Sequence, residues 1–325
     1  MQGIHNLAQR FPKEISIREN EPLSRHTRFG LGGPALFLVD LSNTEAFPAV
    51  LAAIEETGLP LITLGGGSNL IVSDSGFDGI VLRFTGKSIT RKDGKTIAES
   101  GVFWQDLVDF HTNLALTGME RMTGIPGWFG GALYGNAGAY GQTIMDFVES
   151  VRVYDGHQFR DIPNSDCGFA YRTSGFKFRK DWILLSARIQ LAPGDPIEIR
   201  QTANEILTTR NEKFPPTLKC AGSIFKNLFV AELPEKALNR VPPGIMRAGK
   251  VPSAWFLEQI GSKGMKNGGI EVASYHANLI SNTGNGTSFE VCQLIDTLKS
   301  LVFNEFDLML EEEVQYIGFP DRTSH

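Results

Sequence analysis

The sequence predicts an α+β (mixed α/β) protein of three consecutive units, and three observations carry that expectation. Short apolar runs that read as strands alternate with helical patterns toward both ends of the chain, which makes α/β units there. The stretch between them is dominated by strand runs and hairpin turn signals. Clusters of glycine follow one strand-like run directly and recur near the middle, where the backbone must come close to something. With 325 residues, 42% hydrophobic and 21% charged, the chain can hold two or three domains with a sizeable core.

The first unit spans residues 1–88. After a polar leader, residues 35–39 read as a buried strand, and Ser42, Asn43 and Thr44 form a capping cluster for a helix that ends at Gly58. Pro48 then falls in its first turn, where a missing N–H costs nothing. Residues 61–64 are a short apolar strand that runs straight into Gly65, and residues 79–84 continue the alternation. The second unit spans residues 89–200. Lys92-Asp93-Gly94-Lys95 is a hairpin signal, and residues 104–116 carry helical apolar spacing that stops at Gly118. Residues 151–154 and 157–160 flank Asp155-Gly156 as a second hairpin, and residues 182–191 make a longer strand. Pro193-Gly194-Asp195-Pro196 breaks the pattern before a helix from Glu198 to about Asn211, close to which the third unit, 201–325, begins. That unit contains a helix at 253–260, a strand at 277–281, a long helix at 287–303 and a closing strand that includes 314–317.

Composition narrows the function. The net charge is -5, and the short basic cluster at residues 177–180 is followed at once by Asp181, so no nucleic-acid partner is expected. The first twenty residues carry Arg10, Lys13, Glu14, Arg18 and Glu19 around no apolar core, and no run approaches the ~20 apolar residues a bilayer requires. A cytoplasmic protein without a membrane partner is the expectation. Cys167, Cys220 and Cys292 are few and far apart, as free thiols would be, and Cys220 reads as a small buried hydrophobe. The six histidines form no short ligand spacing, so no metal site is expected.

Four segments bear chemistry. Gly65, Gly66 and Gly67, followed by Ser68 and Asn69, offer bare amides and two extra donors right after a strand, the setting in which such a turn binds phosphate. A tight connection between strands would need only one Gly. The spacing matches neither GxGxxG nor a Walker loop, so the cradle belongs to another nucleotide-binding architecture. The second segment carries seven glycines between residues 124 and 141, among small and aromatic neighbours. Close packing against a flat ring system and a well-packed buried turn both account for it. Arg172, in the run Tyr171-Arg172-Thr173-Ser174-Gly175-Phe176-Lys177, reads alone as an ion-pair or stacking residue. Ser223 follows Gly222 with no GxSxG elbow, which argues against a serine hydrolase. In Glu311-Glu312-Glu313 a strand would put Glu311 and Glu313 on one face and Glu312 on the other, leaving an acidic edge with one carboxylate free to enter a site.

Taken in order, GGGSNL, GIPGxxGGAxxxNAGAYG, YRxSxFK, GSxFKN, GMKNGG, HAN and LExEV resemble the UDP-N-acetylenolpyruvoylglucosamine reductase family, from about Thr27 to Gly318. The resemblance implies a two-part FAD-binding domain of the vanillyl-alcohol-oxidase (PCMH) type followed by a substrate-binding C-terminal domain. It implies bound FAD, NADPH as co-substrate, and UDP-N-acetylenolpyruvoylglucosamine as substrate. By position it makes Arg172, Ser223 and Glu313 catalytic. It assigns Gly65, Gly66, Gly67, Ser68, Asn69, Gly124, Ile125, Pro126, Gly130, Gly131, Asn136, Ala137, Gly138, Tyr140 and Gly141 to FAD, and Tyr171, Lys213, Lys226, Asn227 and His276 to the substrate. Lys226 or a water is expected to polarise the Ser223 hydroxyl. Two departures stand out. Leu228 replaces the family's Pro, and the bulky Trp128-Phe129 pair is expected to narrow the space near the flavin. Another flavoenzyme on this fold would share the glycines but has no reason to carry the polar residues together, and a non-catalytic nucleotide binder has no use for them.

Overall fold

The computed structural model describes residue 6, residues 8–320 and residue 322. Its first sheet has the order Ile15–Pro22, Pro34–Leu41, Phe77–Phe84, Leu61–Thr63, with the outer pair antiparallel and the other two pairings parallel. The parallel crossover is the predicted helix. The Asn43 side chain accepts from the Glu45 amide at 2.9 Å and starts a 3₁₀ turn, Thr44–Ala46, that leads into Phe47–Glu55 with a proline in its first turn.

The second unit is a five-stranded antiparallel sheet in the order Phe159–Pro163, Val148–Tyr154, Ile183–Ile189, Lys95–Glu99, Ile89–Lys92. Asp93 and Gly94 close one hairpin with φ of 51° and 76°, the left-handed pair that a two-residue turn demands. The other hairpin has a longer loop than its sequence suggests. The Asp155 carboxylate accepts from the His157 and Gln158 amides, which bends the chain and delays the strand to Phe159. The helix Trp104–Asn113 stops short of residue 116, because Ala115 turns left-handed (φ 54°) and Leu116–Thr117 pairs with Ala192–Pro193. Asp195 caps the helix Pro196–Lys213 through the Ile197 and Glu198 amides, so that helix is longer than predicted at both ends. It packs on the helix Trp104–Asn113 and the turn Glu120–Met122, and so on the second unit.

The third unit carries an antiparallel sheet in the order Cys220–Ser223, Leu279–Asn282, Ile270–Val272, Lys266–Asn267, against which the helix Ser288–Phe306 packs. Thr287 and Glu290 form a capping box at the start of this helix. Between Leu228–Phe229 and Lys250–Val251, which pair with each other, runs a series of short helical turns whose Leu233, Ala237 and Val241 pack into the third unit's core. The closing strand, Gln315–Ile317, leaves its own unit and pairs in parallel with Leu70–Val72 of the first. Cores are shared as well. Phe29, Leu31 and Ile71 pack in the third unit's core, and Tyr154, Ile183 and Leu185 of the second sheet pack in the first unit's core. Cys167, Cys220 and Cys292 are free and buried.

One carboxylate ties the first unit to the long helix of the third. Asp74 accepts from the Ser288 and Phe289 amides, and its own amide donates to Ser288 Oγ. Those amides have no intrahelical partner, and an anion there opposes the positive end of the helix dipole. Asp74→Ala is therefore expected to cost about 1–2 kcal/mol of stability, read from urea unfolding followed by circular dichroism; an unchanged midpoint would remove this clamp from the account.

Candidate active site

The two glycine segments face each other. A Cβ on Gly66 would lie 2.8 Å from the Trp128 nitrogen and 2.9 Å from Gly127 Cα, and one on Gly67, where φ is +64°, would lie 1.9 Å from the His26 carbonyl oxygen. Only glycine permits this approach. Ser68 Oγ donates to the Pro126 carbonyl at 3.1 Å, so that hydroxyl joins the two loops. At Gly131 and Gly141, by contrast, a Cβ would meet nothing within 4 Å, and Gly65 has only ordinary contacts. Bare backbone there borders open space. Gly124 packs on the Arg210 side chain, whose Nε is buried with no hydrogen-bond partner and whose guanidinium lies within electrostatic reach of Arg28 and Arg172. Burial, reinforced by these neighbouring cations, lowers the pKa of Arg210. A cation-rich spot with an unused donor beside uncovered glycine backbone fits a large anionic cofactor such as FAD.

Not every residue of the second segment faces that space. Phe129 is fully buried against Trp104 and does not narrow the site, whereas Trp128 lies at the loop contact with Phe103 at its edge and the Arg83 guanidinium 5.5 Å from its ring centroid. Asn136, at φ 43°, ends the helix Phe129–Gly135. Its side chain donates to the Ala170 carbonyl at 2.8 Å and accepts from the Met145 amide at 3.1 Å. Tyr140 is exposed and also left-handed.

The Asn136 contact leads to Arg172. Ala170 and Thr173 exchange both backbone hydrogen bonds, which makes Tyr171 and Arg172 the centre of a tight turn. Arg172 has φ 56°, a conformation such turns reserve for Gly or Asn and one that costs an ordinary residue about 1–3 kcal/mol. It persists because the surroundings hold it. Arg172 Nη1 donates to the Gly138 carbonyl at 2.9 Å, and Nε lies 3.1 Å from Glu313 Oε1 as an ion pair without the alignment of a hydrogen bond. Burial raises the pKa of Glu313, opposed by the cations of Arg172, Lys177 and Lys226.

Glu313 is placed by three backbone contacts. Its amide donates to the Ile224 carbonyl at 2.7 Å, its carbonyl accepts from Asn69 Nδ2 at 3.0 Å, and two residues on the Gln315 amide donates to the Asn69 carbonyl. Asn69 thus links the first glycine loop to Glu313. Of the three acidic residues, Glu312 turns to Lys299 and Tyr316, and Glu311 is exposed and paired with Lys226. Glu311 and Glu313 thus lie on one side, both within electrostatic reach of Lys177 and Lys226, and Glu312, which bridges to Phe225, turns to the other, as the alternation predicts.

Ser223 ends the strand whose next residue, Ile224, holds Glu313. Its hydroxyl has no hydrogen-bond partner among the described residues. Asn278 secures this stretch, since its carbonyl groups accept from the Ile224 and Phe225 amides and its side chain donates to the Phe225 carbonyl and Ser253 Oγ. The Lys226 ammonium pairs with Glu311, and no hydrogen bond joins it to Ser223. Asn227 donates its amide to the Tyr171 hydroxyl at 3.2 Å, and Lys250 lies over the rings of both Tyr171 and Phe229. Lys213 is exposed at its helix end, within electrostatic reach of His276; burial first, and then Lys213, lowers the His276 pKa. Phe214 packs on the His276 ring.

Sequence reasoning passed over Arg210, Lys177 and Asn278. Arg210 stands three residues before Lys213 on one helix, so the two share a face, a spacing open to the eye. Lys177 closes the YRxSxFK segment and Asn278 the HAN segment, yet neither carries an assigned role there, because nothing short-range shows that one bonds the Arg172 carbonyl and the other clamps the Ser223 segment. Among the described residues, no group of His, Cys, Asp and Glu is arranged to hold a metal, and no helix is long and apolar enough to cross a membrane.

Comparison with known proteins accounts for this arrangement. Residues 35–157 match the FAD binding domain, and residues 214–317 match the C-terminal domain of UDP-N-acetylenolpyruvoylglucosamine reductase. The chain is 49% identical to the UDP-N-acetylenolpyruvoylglucosamine reductase of Solibacter usitatus, over 97% of this chain and 99% of that protein. It is 34% identical to that of Carboxydothermus hydrogenoformans, over 96% and 98%. The crystal structure of the reductase from Thermus caldophilus superimposes with a TM-score of 0.73 at 27% identity, covering 93% of this chain and 98% of that one. With the glycine cradle, the Arg172–Glu313 pair and the Ser223 strand meeting at one place, the chain belongs to the UDP-N-acetylenolpyruvoylglucosamine reductase family.

Proposed function

We propose that this protein reduces the enolpyruvyl ether of UDP-N-acetylenolpyruvoylglucosamine to UDP-N-acetylmuramate for peptidoglycan synthesis, in the cytoplasm, with NADPH as hydride source. The observation that carries the reading is the ion pair of Arg172 and Glu313 beside the strand of Ser223, at the edge of a cofactor cradle. Residues 1–88 and 89–200 supply the FAD cradle and residues 201–325 most of the substrate site, with Tyr171 and Arg172 of the second unit facing the substrate and Arg210 of the third near the cofactor.

Bound FAD would supply the hydride that passes from NADPH to the terminal carbon of the enolpyruvyl group. Residues 65–69 and the uncovered glycines of 124–141 would hold it, with Arg210 as a nearby cation. The chain's own work concerns the substrate. When the double bond gains a hydride at its end, negative charge develops on the neighbouring carbon and its carboxylate. Arg172 meets that carboxylate, and Glu313 keeps the guanidinium oriented, in a half-buried site where charge-assisted contacts are strong. Ser223 then gives a proton to the carbon that bore the charge. Its free hydroxyl supports this role, and solvent must return the proton to Ser223 afterwards. Lys213 binds the diphosphate of the substrate, and Asn227, Tyr171, Lys226 and His276 contribute to holding the substrate.

Ser223→Ala is predicted to accept hydride from NADPH at the normal rate, while reoxidation by the enolpyruvyl substrate slows by roughly 10²–10⁴. Stopped-flow absorbance of the two half-reactions checks this, and equal slowing of both, or of neither, would remove Ser223 from the role. Lys213→Ala should mainly raise the KM for the UDP-sugar, because a diphosphate contact holds ground and transition states alike. Steady-state kinetics showing a fall in kcat alone would contradict it.

A further inference from the structure

Lys177 is a charged residue buried to 6% exposure, on the short 3₁₀ turn Gly175–Phe178 behind the Arg172 turn. Its ammonium donates to the Arg172 carbonyl at 2.9 Å and forms no ion pair among the described residues. Burying a charge against one carbonyl oxygen is costly, and methionine would fill such a space without that cost. What the lysine adds is a donor and a charge. The donor lands on the carbonyl of the one residue in the turn that holds a left-handed conformation, opposite the Asn136 bond to Ala170. The charge lies within electrostatic reach of Glu313.

We propose that Lys177 is a positioning residue for the reduction step, which fixes the turn that aims Arg172 and lends its charge to the Arg172–Glu313 pair. This rests on the reading that Arg172 and Glu313 act on the substrate. Neighbouring turns support the same geometry. Ser174 Oγ donates to the Tyr134 carbonyl at 2.7 Å, which pins the chain between Arg172 and Lys177 to the helix Phe129–Gly135. The groups acting on Glu313 are Arg172 and Lys177 from this segment and Lys226 from the Ser223 segment; the Tyr171 hydroxyl is nearby. Glu313 already ionises less readily than an ordinary carboxylate, because it is buried. Removing a neighbouring cation raises its pKa further, so the acid limb of any step that needs the carboxylate moves to higher pH.

The test compares Lys177→Met, Lys177→Gln and Lys177→Arg holoenzymes from pH 5 to 9, following flavin bleaching by NADPH and colour recovery on adding UDP-N-acetylenolpyruvoylglucosamine. Bleaching should stay within about twofold of wild type in all three. Recovery should fall about 10- to 100-fold in K177M, as expected for a misaimed group. Its acid limb should move to higher pH in K177M and K177Q, and K177R should restore most of the rate with the limb near its wild-type position. The proposal is overturned if K177M recovers like wild type, or if both half-reactions fall by one factor, as a packing defect would cause. Should K177M not fold, equal rates and equal acid limbs in K177Q and K177R overturn it. A wild-type protein whose colour the substrate does not restore sinks the functional reading and this proposal with it, whereas a silent K177M sinks the proposal alone.

Discussion

The ion pair between Arg172 and Glu313 joins the second unit to the closing segment of the third, and most of what is unusual in the structure serves to make it. Glu313 reaches the site because the chain, having completed its third unit, sends Gln315–Ile317 back to pair with Leu70–Val72 beside the first glycine loop. Asn69 then fixes the Glu313 carbonyl from the loop side, while Ile224 fixes its amide from the Ser223 side. Arg172 arrives from the second unit, on a turn held by Asn136 and by its own bond to Gly138. The first glycine loop, the Ser223 strand and the Arg172–Glu313 pair therefore form one connected network of backbone and side-chain contacts. A displacement of any one of them is felt at the others.

The balance of charge around this network says what it is waiting for. Arg28 and Arg172 both lie within electrostatic reach of Arg210, Arg210 Nε is buried with no hydrogen-bond partner, and Glu313 pairs with Arg172. Cations gathered in this way favour an anion beside them. The left-handed Arg172 is a second local cost. Departures from local rules gather at functional sites because the surrounding structure must maintain them, and here the same few residues break several rules at once.

Much of this was legible in the sequence wherever the signal is local. Asn43, Asp195 and Thr287 cap helices as such residues do, and Asp93-Gly94 turns a hairpin. The order of the motifs carried the family, and with it the expectation that Arg172, Ser223 and Glu313 act together. What escaped is what depends on residues distant in the chain. The helix Pro196–Lys213 packs on the second unit through contacts that its own polar sequence does not announce. Phe129 beside Trp128 suggested a crowded flavin space, yet helix geometry turns Phe129 into the core. Asn69 and Asn136 look like ligand-facing amides in a one-dimensional reading, and their side chains instead grip the backbone of Glu313 and of the Arg172 turn. Lys226, expected to assist Ser223, is held by Glu311 because the two segments run side by side.

If Arg172 and Glu313 work as one unit, their effects on the reduction step cannot be independent. The decisive measurement is a double-mutant cycle on the rate at which UDP-N-acetylenolpyruvoylglucosamine reoxidises the reduced holoenzyme, using Arg172→Ala, Glu313→Ala and the pair together. The double variant should be little slower than the worse single variant, since either change alone already disables the unit. A double variant slowed by the product of the two single effects would mean that the residues act separately, and the account built on their pairing would be wrong.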